Sequence, residues 1–490
     1  MEGIPAEEVT LSADVARILG EAFVYWLKQH TEGARIRLAI GNDSRLSADV
    51  LKQAFTQGAT RSGATVYDCG LSSTPAMFIV TMRNPAGVDG PPLTAGVMVT
   101  ASHLPFNRNG FKFFTAQGCL DKTDITEMLQ YAQEIEEGRL TEREITGIQP
   151  QGQVIPLNYM EEYSRLLVQR IRKGVGMGDK PLQGFKIVVD AGNGAGGFFV
   201  DKVLIPLGAD TTGSQYLEPD GHFPNHIPNP EDKTAMAYIC QAVQREKAQL
   251  GIIFDTDVDR SAIVDSDGNP INRNALIALI STIVLRQHPG TTVVTDSITS
   301  EGLTRFIEQE LGGHHHRYKR GYKNVINEAV RLNLKKQECW LAIETSGHAA
   351  LKENYFLDDG AFLVAKLLIE AALQRAKGHT LAQLIEKLPT PVESKEIRFI
   401  CSPVNFARFG QQKLDNLEAI LKDPDKCPQG WLPVVPNFEG IRVRCTAPRE
   451  DGWFLLRLSL HENVMPLNIE SNIFGGVQQI ETQLRRILEF

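Results

Sequence analysis

The sequence has no long apolar run, no cluster of basic residues and no paired-cysteine motif, and each absence excludes a class of protein. The longest apolar stretch, 275–285, is interrupted by Ser281 and Thr282 and is too short to span a bilayer. The seven cysteines lack C-x-x-C spacing, which indicates reduced thiols rather than a disulfide framework. A formal net charge of −8 excludes nucleic acid as the main partner. We therefore expect neither a membrane nor a nucleic acid as partner.

The N-terminus lacks the features of a secretory signal. Residues 1–8 are acidic where a signal peptide is basic. With the reduced cysteines, this predicts the cytoplasm, or an organelle stroma if a targeting peptide has been removed. Apolar content of 42% is ordinary for a globular protein, and 490 residues predict three or four domains.

What the sequence does contain is a repeated alternation of β-branched runs and helical patterns, which is typical of α/β units. Strand-like runs lie at 35–40, 64–69, 185–190 and 291–296. From about residue 395 the strands become shorter, which predicts a smaller α+β domain. The predicted domains are 1–175, 176–287, 288–393 and 394–490.

Three apolar runs lead directly into loops rich in polar residues. Ligands of open α/β sheets gather beyond the carboxyl ends of strands, so the sequence predicts that these loops form the site. The loops are Thr100–Pro105 after 96–99, Asp255–Arg260 after 250–254, and Glu344–His348 after 339–343.

The second loop is a candidate metal site. Asp255, Asp257 and Asp259 alternate, and alternate side chains of an extended segment point the same way. Carboxylate oxygens suit Mg²⁺. The segment is not an EF-hand, because Val258 and Arg260 break the pattern and the twelfth position has no glutamate. A solvated acidic turn is the plain alternative.

The three loops, in this order, resemble those of the α-D-phosphohexomutase superfamily, which includes phosphoglucomutases, phosphomannomutases and phosphoglucosamine mutases. The family loops usually read T-A-S-H-N-P, D-G-D-x-D-R and G-E-x-S-G-H, and the corresponding segments here are Thr100–Pro105, Asp255–Arg260 and Ile343–His348. The resemblance covers nearly the whole chain. It implies a four-domain architecture with three related α/β mixed-sheet domains and a smaller C-terminal α+β domain.

The resemblance also implies an activity, that of an intramolecular phosphotransferase. The enzyme would interconvert hexose 1-phosphate and hexose 6-phosphate, of glucose and/or mannose, through a phosphoserine and a hexose 1,6-bisphosphate that also serves as primer. One Mg²⁺ per chain would be bound by the Ser102 phosphate with Asp255, Asp257 and Asp259. The residues that match the family's catalytic positions are Ser102, Lys112, His348 and Arg260.

Substrate binding is implied at further positions. The residues are His103, Lys319, Glu344, Ser346, Arg457 and Ser459. The last two come from a loop that reads R-P-S-G-T-E-P in the family and has lost its glycine, threonine and final proline here, in 457–463. Leu104 stands where most members have asparagine. The expected partner is a small phosphosugar, and the oligomeric state, monomer or dimer, stays open.

Several alternatives remain beside this interpretation. Gly192–Gly197 satisfies G-x-G-x-x-G after a strand and suggests a dinucleotide site, but the expected acidic residue is only loosely met by Glu218. The run His314–His316 is interpreted as a loop rather than a metal site. A phosphoglucosamine mutase, or a catalytically weakened paralogue with a binding or regulatory role, is the alternative within the superfamily.

Overall fold

In the computed structural model the chain forms two compact units, which we describe separately. The first unit consists of Met1–Asn272, Ser346–Ala349 and Leu357–Leu381, and the second of Arg273–Thr345, Ala350–Phe356 and Ala382–Phe490. The structure describes residues 9–31, 35–141, 144–145, 152–400, 406–459 and 463–488. Among the described helices, none combines the length and the apolar character needed to cross a membrane.

The first sheet of the first unit has the strand order β5-β4-β3-β1-β2-β6. Strand β1 pairs in parallel with β2 and β3, and β4 runs antiparallel to β3. Helix α1 begins after Ser12, which accepts a hydrogen bond from Val15 N–H. Phe23 of α1 packs with Phe55 and Phe113 in the core beneath the sheet. The elements are α1 (Ala13–His30), β1 (Arg37–Asn42), α2 (Ala48–Arg61), β2 (Thr65–Leu71), α3 (Thr74–Met82), β3 (Ala95–Val99), β4 (Phe111–Thr115), β5 (Gly118–Cys119), α4 (Lys122–Glu136) and β6 (Val154–Pro156).

The second sheet of the first unit has the order β10-β9-β8-β7, with β7 and β8 parallel and the remaining pairs antiparallel. Strands β7 and β8 are buried along their whole length, which explains their largely apolar sequences. The elements are α5 (Tyr159–Val175), β7 (Ile187–Asp190), a π-helix (Phe199–Leu204), a 3₁₀ turn (Ile205–Leu207), α6 (Lys233–Glu246), β8 (Leu250–Phe254), β9 (Ser261–Val264) and β10 (Pro270–Ile271). The later segment Leu357–Leu381 contributes β15 (Leu357–Asp358) and α10 (Gly360–Ala376).

The second unit contains the parallel strands β12, β11 and β13, in that spatial order. The elements are α7 (Arg273–Gln287), β11 (Thr292–Thr295), α8 (Glu301–Arg305), a π-helix (Phe306–Glu310), β12 (His314–Arg317), α9 (Tyr322–Leu334), β13 (Cys339–Ile343) and 3₁₀ turns at Lys352–Asn354 and Ala382–Ile385. Strand β14 (Ala349–Leu351) lies where the chain passes from one unit to the other. The histidine run is therefore an edge strand, and its interpretation as a loop is wrong.

The last sheet is antiparallel, in the order β16-β20-β19-β18-β17, with two helices against it. The elements are β16 (Glu393–Ile400), α11 (Phe406–Lys422), β17 (Trp431–Pro433), β18 (Ile441–Cys445), β19 (Gly452–Leu456), β20 (Val464–Ser471) and α12 (Gly476–Leu488). Three α/β sheets followed by a smaller α+β region confirm the predicted fold class. The four domain boundaries stay a prediction.

Candidate active site

The aspartate loop joins two buried strands of the first unit. Strand β8 ends at Phe254, and β9 begins at Ser261. Between them the side chains of Asp255, Asp257 and Asp259 are almost completely buried, and one oxygen of each lies within 4.8 Å of the others. Three carboxylates gathered in a protein interior repel one another unless cations balance them.

Two oxygens of this cluster fit a metal ion. Lys112 Nζ, from β4, lies 2.8 Å from Asp257 Oδ2 and 2.6 Å from Asp259 Oδ2. The other oxygens, Asp257 Oδ1 and Asp259 Oδ1, are buried and accept no hydrogen bond within the described chain. Buried anionic oxygens need a partner, and hard divalent cations prefer oxygen ligands. Asp257 and Asp259 therefore each offer an oxygen that fits Mg²⁺, and Asp255 lies close enough to supply a third.

Ser102 reaches this cluster from the carboxyl end of β3. Its Oγ lies 3.1 Å from Asp255 Oδ2 and 3.3 Å from Arg260 Nη2. Arg260 is 1% exposed and also donates from Nε to Asp255 Oδ2 at 3.0 Å. The φ angle of Ser102 is 51°, a conformation uncommon for residues other than glycine. The hydroxyl oxygen is thus placed between a carboxylate and a guanidinium.

His348 completes the group in the first unit. Its Nδ1 pairs with the Asp358 carboxylate and lies 3.9 Å from Asp259 Oδ1. Burial alone lowers the pKa of His348, but the carboxylates of Asp358 and Asp259 outweigh burial and raise the pKa to about 9. His348 is therefore a cation at neutral pH. Because Asp358 engages Nδ1, proton exchange with a substrate falls to Nε2.

Burial and neighbouring charges also shift the pKa values of Asp255, Asp259 and His103. Burial raises the pKa of Asp255 well above its ordinary value, and Asp259 adds to that rise. For Asp259, burial is outweighed by Lys112, His348 and Arg260, so its pKa lies below the ordinary value. Burial, with Arg260 and His348, lowers the pKa of His103 to about 4. His103 Nδ1 lies 3.4 Å from Ser102 Oγ, and the ring is neutral at physiological pH.

In the second unit, polar residues follow the parallel strands at their carboxyl ends. Asp296 follows β11, Lys319 follows β12, and Glu344 follows β13. Glu344 Oε1 accepts a hydrogen bond from Gly321 N–H at 2.6 Å. Thr345 Oγ1 donates to Asp296 Oδ2 at 2.7 Å. The loops after the three strands are thereby fixed to one another at the sheet edge where ligands of α/β folds bind.

Arg457 and Ser459 follow β19 in the second unit. The Arg457 side chain is 6% exposed, its Nη1 lies 3.9 Å from Glu439 Oε1, and its Nε has no hydrogen-bond partner within the described chain. Burial lowers the pKa of Arg457, and Glu439 opposes this effect. Glu439 also accepts hydrogen bonds from Ser297 Oγ and, at 3.1 Å, from Arg320 N–H. Leu460–Glu462, which hold the altered part of this loop, lie outside the described residues.

The structure thus distributes the predicted site residues over both units. The first unit holds Ser102, His103, Lys112, Asp255, Asp257, Asp259, Arg260, Ser346 and His348, and the second unit holds Lys319, Glu344, Arg457 and Ser459. Within the first unit, all but Ser346 belong to the network described above. Ser346 is buried two residues before His348.

Comparison with known proteins identifies the family. Three family models match the chain, described as phosphoglucomutase/phosphomannomutase alpha/beta/alpha domains I, II and III, at residues 3–139, 161–268 and 272–392. The chain is 30% identical over 475 residues to a phosphomannomutase/phosphoglucomutase of Pseudomonas syringae, covering 97% of the chain and 91% of that protein. The chain belongs to the phosphoglucomutase/phosphomannomutase family.

Other members of the phosphoglucomutase/phosphomannomutase family show the breadth of the likeness. A crystal structure of a Burkholderia thailandensis family protein superimposes with a TM-score of 0.79 at 27% identity, over 99% of this chain and 95% of that one. A phosphoglucosamine mutase of Desulforudis audaxviator is 31% identical over 404 residues, 81% of this chain and 82% of that protein. The relationship therefore extends to the amino-sugar branch.

Close packing of the backbone accounts for the glycine motif. A Cβ added at Gly194 would lie 2.6 Å from the carbonyl oxygen of Thr256, inside the aspartate loop, and one at Gly197 would lie 2.5 Å from the carbonyl oxygen of Leu217. The glycines permit close packing behind the carboxylate cluster. The structure therefore explains the G-x-G-x-x-G match without a dinucleotide.

Three residues that contact the predicted site residues are not predicted from the sequence. Thr74, at the start of α3, donates from Oγ1 to Asp257 Oδ2 and from its backbone N–H to the Asp257 carbonyl at 2.9 Å. Asp358 and Glu439 are the other two. Each stands in an unremarkable sequence context. The only available signal was weak: Ser-Thr-Pro at 73–75 marks a helix start in the segment after a strand.

Proposed function

We propose that this chain is a phosphohexomutase that interconverts hexose 1-phosphates and hexose 6-phosphates, with glucose and/or mannose as the sugar. One observation carries the proposal. The Ser102 hydroxyl lies within 3.3 Å of both a carboxylate of the buried aspartate cluster and the buried guanidinium of Arg260. Such a serine can carry a phosphoryl group beside a divalent cation and a fixed positive charge.

The proposed reaction consists of two transfers. In the first, the bond between Ser102 Oγ and phosphorus breaks while the free hydroxyl of a hexose monophosphate forms the new bond to phosphorus. The hydroxyl loses its proton, Ser102 Oγ takes up a proton as it leaves, and the product is a hexose 1,6-bisphosphate. After the bisphosphate has reversed its orientation, Ser102 Oγ loses this proton and takes the other phosphoryl group, and the hexose oxygen that is released takes up a proton.

The residues of the first unit have separate tasks in these transfers. Arg260 holds the Ser102 oxygen and offsets charge on the transferring group. His348, cationic at neutral pH, can supply a proton through Nε2, and Lys112 stabilises Asp257 and Asp259. Mg²⁺, held by Asp255, Asp257 and Asp259, would neutralise charge on the phosphoryl oxygens. The dependence on an added hexose 1,6-bisphosphate primer is part of this proposal.

The second unit supplies sugar and phosphate recognition in this proposal. Glu344 offers a carboxylate for two sugar hydroxyls, and Arg457 offers a buried guanidinium for the phosphate that is not being transferred. Lys319 and Ser459 are assigned supporting contacts, and Ser346 of the first unit is assigned another. The sugar specificity depends on this group, because the chemistry in the first unit is the same for every hexose phosphate.

A coupled assay tests the proposal. The 1-phosphates and 6-phosphates of glucose, mannose and glucosamine are supplied separately with Mg²⁺ and a hexose 1,6-bisphosphate primer. We expect turnover of the glucose or mannose compounds. The 31% identity to a phosphoglucosamine mutase makes glucosamine the second candidate, and preference for it would replace our assignment. No turnover of any compound would contradict mutase activity and favour a binding or regulatory role.

A further inference from the structure

The loop that carries Ser102 is tied to the first sheet by a buried arginine outside the sequence motifs. Arg45 follows strand β1, and its side chain is fully buried. Its guanidinium donates hydrogen bonds to backbone carbonyl oxygens of the serine loop, which we define as residues 101–108. The acceptors are Ser102 O at 2.5 Å, Leu104 O at 2.6 Å, and Pro105 O and Arg108 O at 2.8 Å.

Asp43 fixes Arg45 in turn. Its Oδ1 accepts a hydrogen bond from the Arg45 backbone N–H at 3.0 Å, and its Oδ2 lies 3.4 Å from Arg45 Nε. The same Oδ2 accepts a hydrogen bond from Thr100 Oγ1 at 2.6 Å, and Thr100 Oγ1 accepts one from Ser102 N–H at 2.8 Å. Asp43 thus holds both the arginine and the residue that precedes the serine loop.

The geometry of these contacts requires a guanidinium. A planar group with several N–H donors in fixed directions can satisfy four carbonyl oxygens at once, whereas the three donors of a lysine ammonium diverge from one point. Four carbonyl dipoles pointing at one spot also need a positive charge there. The serine loop itself consists of turns, closed by Leu104 N–H to Ala101 O and Arg108 N–H to Pro105 O.

We propose that Arg45, held by Asp43, is a positioning residue that fixes the serine loop so that Ser102 Oγ faces Asp255 and Arg260. The contacts oppose relaxation of the positive φ angle of Ser102, because they anchor its carbonyl group directly. The proposal rests on the proposed function, since it concerns the geometry of phosphoryl transfer. Among the described residues, Arg45 makes no hydrogen bond or ion pair with the Ser102 hydroxyl or with the carboxylates of Asp255, Asp257 and Asp259, although the charges of Asp257 and Asp255 act on it.

The test compares Arg45→Lys with Arg37→Lys. Arg37 is the first residue of β1, whereas Arg45 follows the last residue of that strand. Arg37 also donates to backbone carbonyls, Asp89 O at 2.7 Å and Pro92 O at 3.4 Å, but at the opposite end of β1. We expect Arg45→Lys to lower kcat by about 100-fold with KM changed less than about threefold, because a displacement of about 1 Å costs a factor of this size. Arg37→Lys should leave both constants near those of the wild type.

Two further measurements separate positioning from general damage. Hydrogen exchange of peptides covering 100–110 should accelerate in Arg45→Lys and not in Arg37→Lys, and the affinity for Mn²⁺ should be unchanged in both. If Arg45→Lys does not fold, Asp43→Asn carries the same test, because it keeps the side-chain volume and removes the charge that holds Arg45.

The outcomes are distinguishable. A wild type without turnover of any hexose phosphate overturns the proposed function, while the hydrogen exchange still tests the anchoring of the loop. An active wild type with an equally active Arg45→Lys overturns the positioning role. If Arg45→Lys lowers both kcat and the affinity for Mn²⁺, the positioning role is also overturned, because the substitution would then act on the metal site.

Discussion

At Ser102, a carboxylate and a guanidinium contact the same hydroxyl oxygen. Asp255 Oδ2 lies 3.1 Å from it and Arg260 Nη2 lies 3.3 Å from it. The hydroxyl donates to the first and accepts from the second. If this oxygen carried a phosphoryl group, as proposed, Arg260 would keep an anionic partner, and the Asp255 carboxylate would repel the phosphoryl group unless a cation balanced the charge. The pair of contacts therefore supports the proposal of a phosphoserine together with a metal ion.

Ser102→Ala should abolish turnover and leave the fold intact, because a small side chain at the start of a loop contributes little packing energy. Intact-mass measurement should show a phosphoryl adduct on the wild type after treatment with hexose 1,6-bisphosphate and none on the variant. Ser266→Ala, in the exposed turn after β9, is the matched control and should keep both activity and adduct. An active Ser102→Ala protein would exclude the phosphoserine mechanism.

Asp257→Asn tests the metal assignment at the same scale. The variant loses one anionic oxygen from a buried cluster, so Mg²⁺ affinity should fall by at least about tenfold, and turnover with it. Titration calorimetry with Mg²⁺ measures the first effect. Asp267→Asn, at an exposed position of the next turn, should bind Mg²⁺ as the wild type does. Equal affinity in Asp257→Asn would remove this carboxylate from the metal site.

At the scale of the element, loops are held in place by residues from distant parts of the sequence. Asp190, at the end of β7, accepts hydrogen bonds from Gly192 N–H and Gln215 Nε2 and pairs with the fully buried ring of His226. Gly192 opens the glycine segment that packs against the aspartate loop. The His226–Asp190 pair therefore stabilises the glycine segment on which the aspartate loop packs.

The stability of this segment should depend on pH. Burial alone lowers the pKa of His226, but Asp190, the Ile227 carbonyl and Asp232 outweigh it, so the folded pKa is raised above the unfolded value of about 6.5. The stabilisation is therefore complete below about pH 6.5 and is lost as the pH rises through the folded pKa. Thermal melting should show a difference between wild type and His226→Gln that is largest below about pH 6.5 and shrinks as the pH rises through the folded pKa. A difference independent of pH would contradict the charged pair.

Arg457, at the end of β19, is the candidate anchor for the distal phosphate. Arg457→Ala should raise KM by roughly 10- to 100-fold, as expected for loss of hydrogen bonds to a charged group, and should release hexose 1,6-bisphosphate into solution. Lys422→Ala, on the exposed face of α11, is the control for the same region. An Arg457→Ala protein with an unchanged KM and no released bisphosphate would place the anchor elsewhere.

At the scale of the whole molecule, the separation of contacts along the chain decided what the sequence could predict. Ser102 and the three aspartates stand in short contiguous segments after apolar runs, so their chemistry is readable locally. Thr74 contacts Asp257 across 183 positions, and Ser297 contacts Glu439 across 142. The residues that flank Thr74 and Glu439 in the sequence do not predict that these side chains contact Asp257 and Ser297. Their roles follow from tertiary packing, as does that of Arg45.

The same reasoning applies to the glycine motif, for which the sequence itself disfavours a dinucleotide site, and to the histidine run, whose interpretation as a loop is wrong. The glycine motif follows a strand as in a dinucleotide site, but its glycines serve close packing against Thr256. The histidine run looks like an irregular loop, yet His315 is enclosed between Thr295 and Thr304 in strand β12, with its ring hydrogen-bonded to both hydroxyl groups. Local composition does not reveal a neighbour on the adjacent strand.

The division into two compact units yields a prediction for the molecule as a whole. The aspartate cluster belongs entirely to the first unit, so Mg²⁺ at about 100 times its dissociation constant should stabilise that unit by about 2.7 kcal/mol. Hydrogen exchange should slow in peptides covering β8 and β9 and stay constant in those covering β18 and β19. Asp257→Asn should lose this response, and Asp267→Asn should keep it. Equal slowing in both units, or a full response in Asp257→Asn, would show that Mg²⁺ stabilises the protein through some other site.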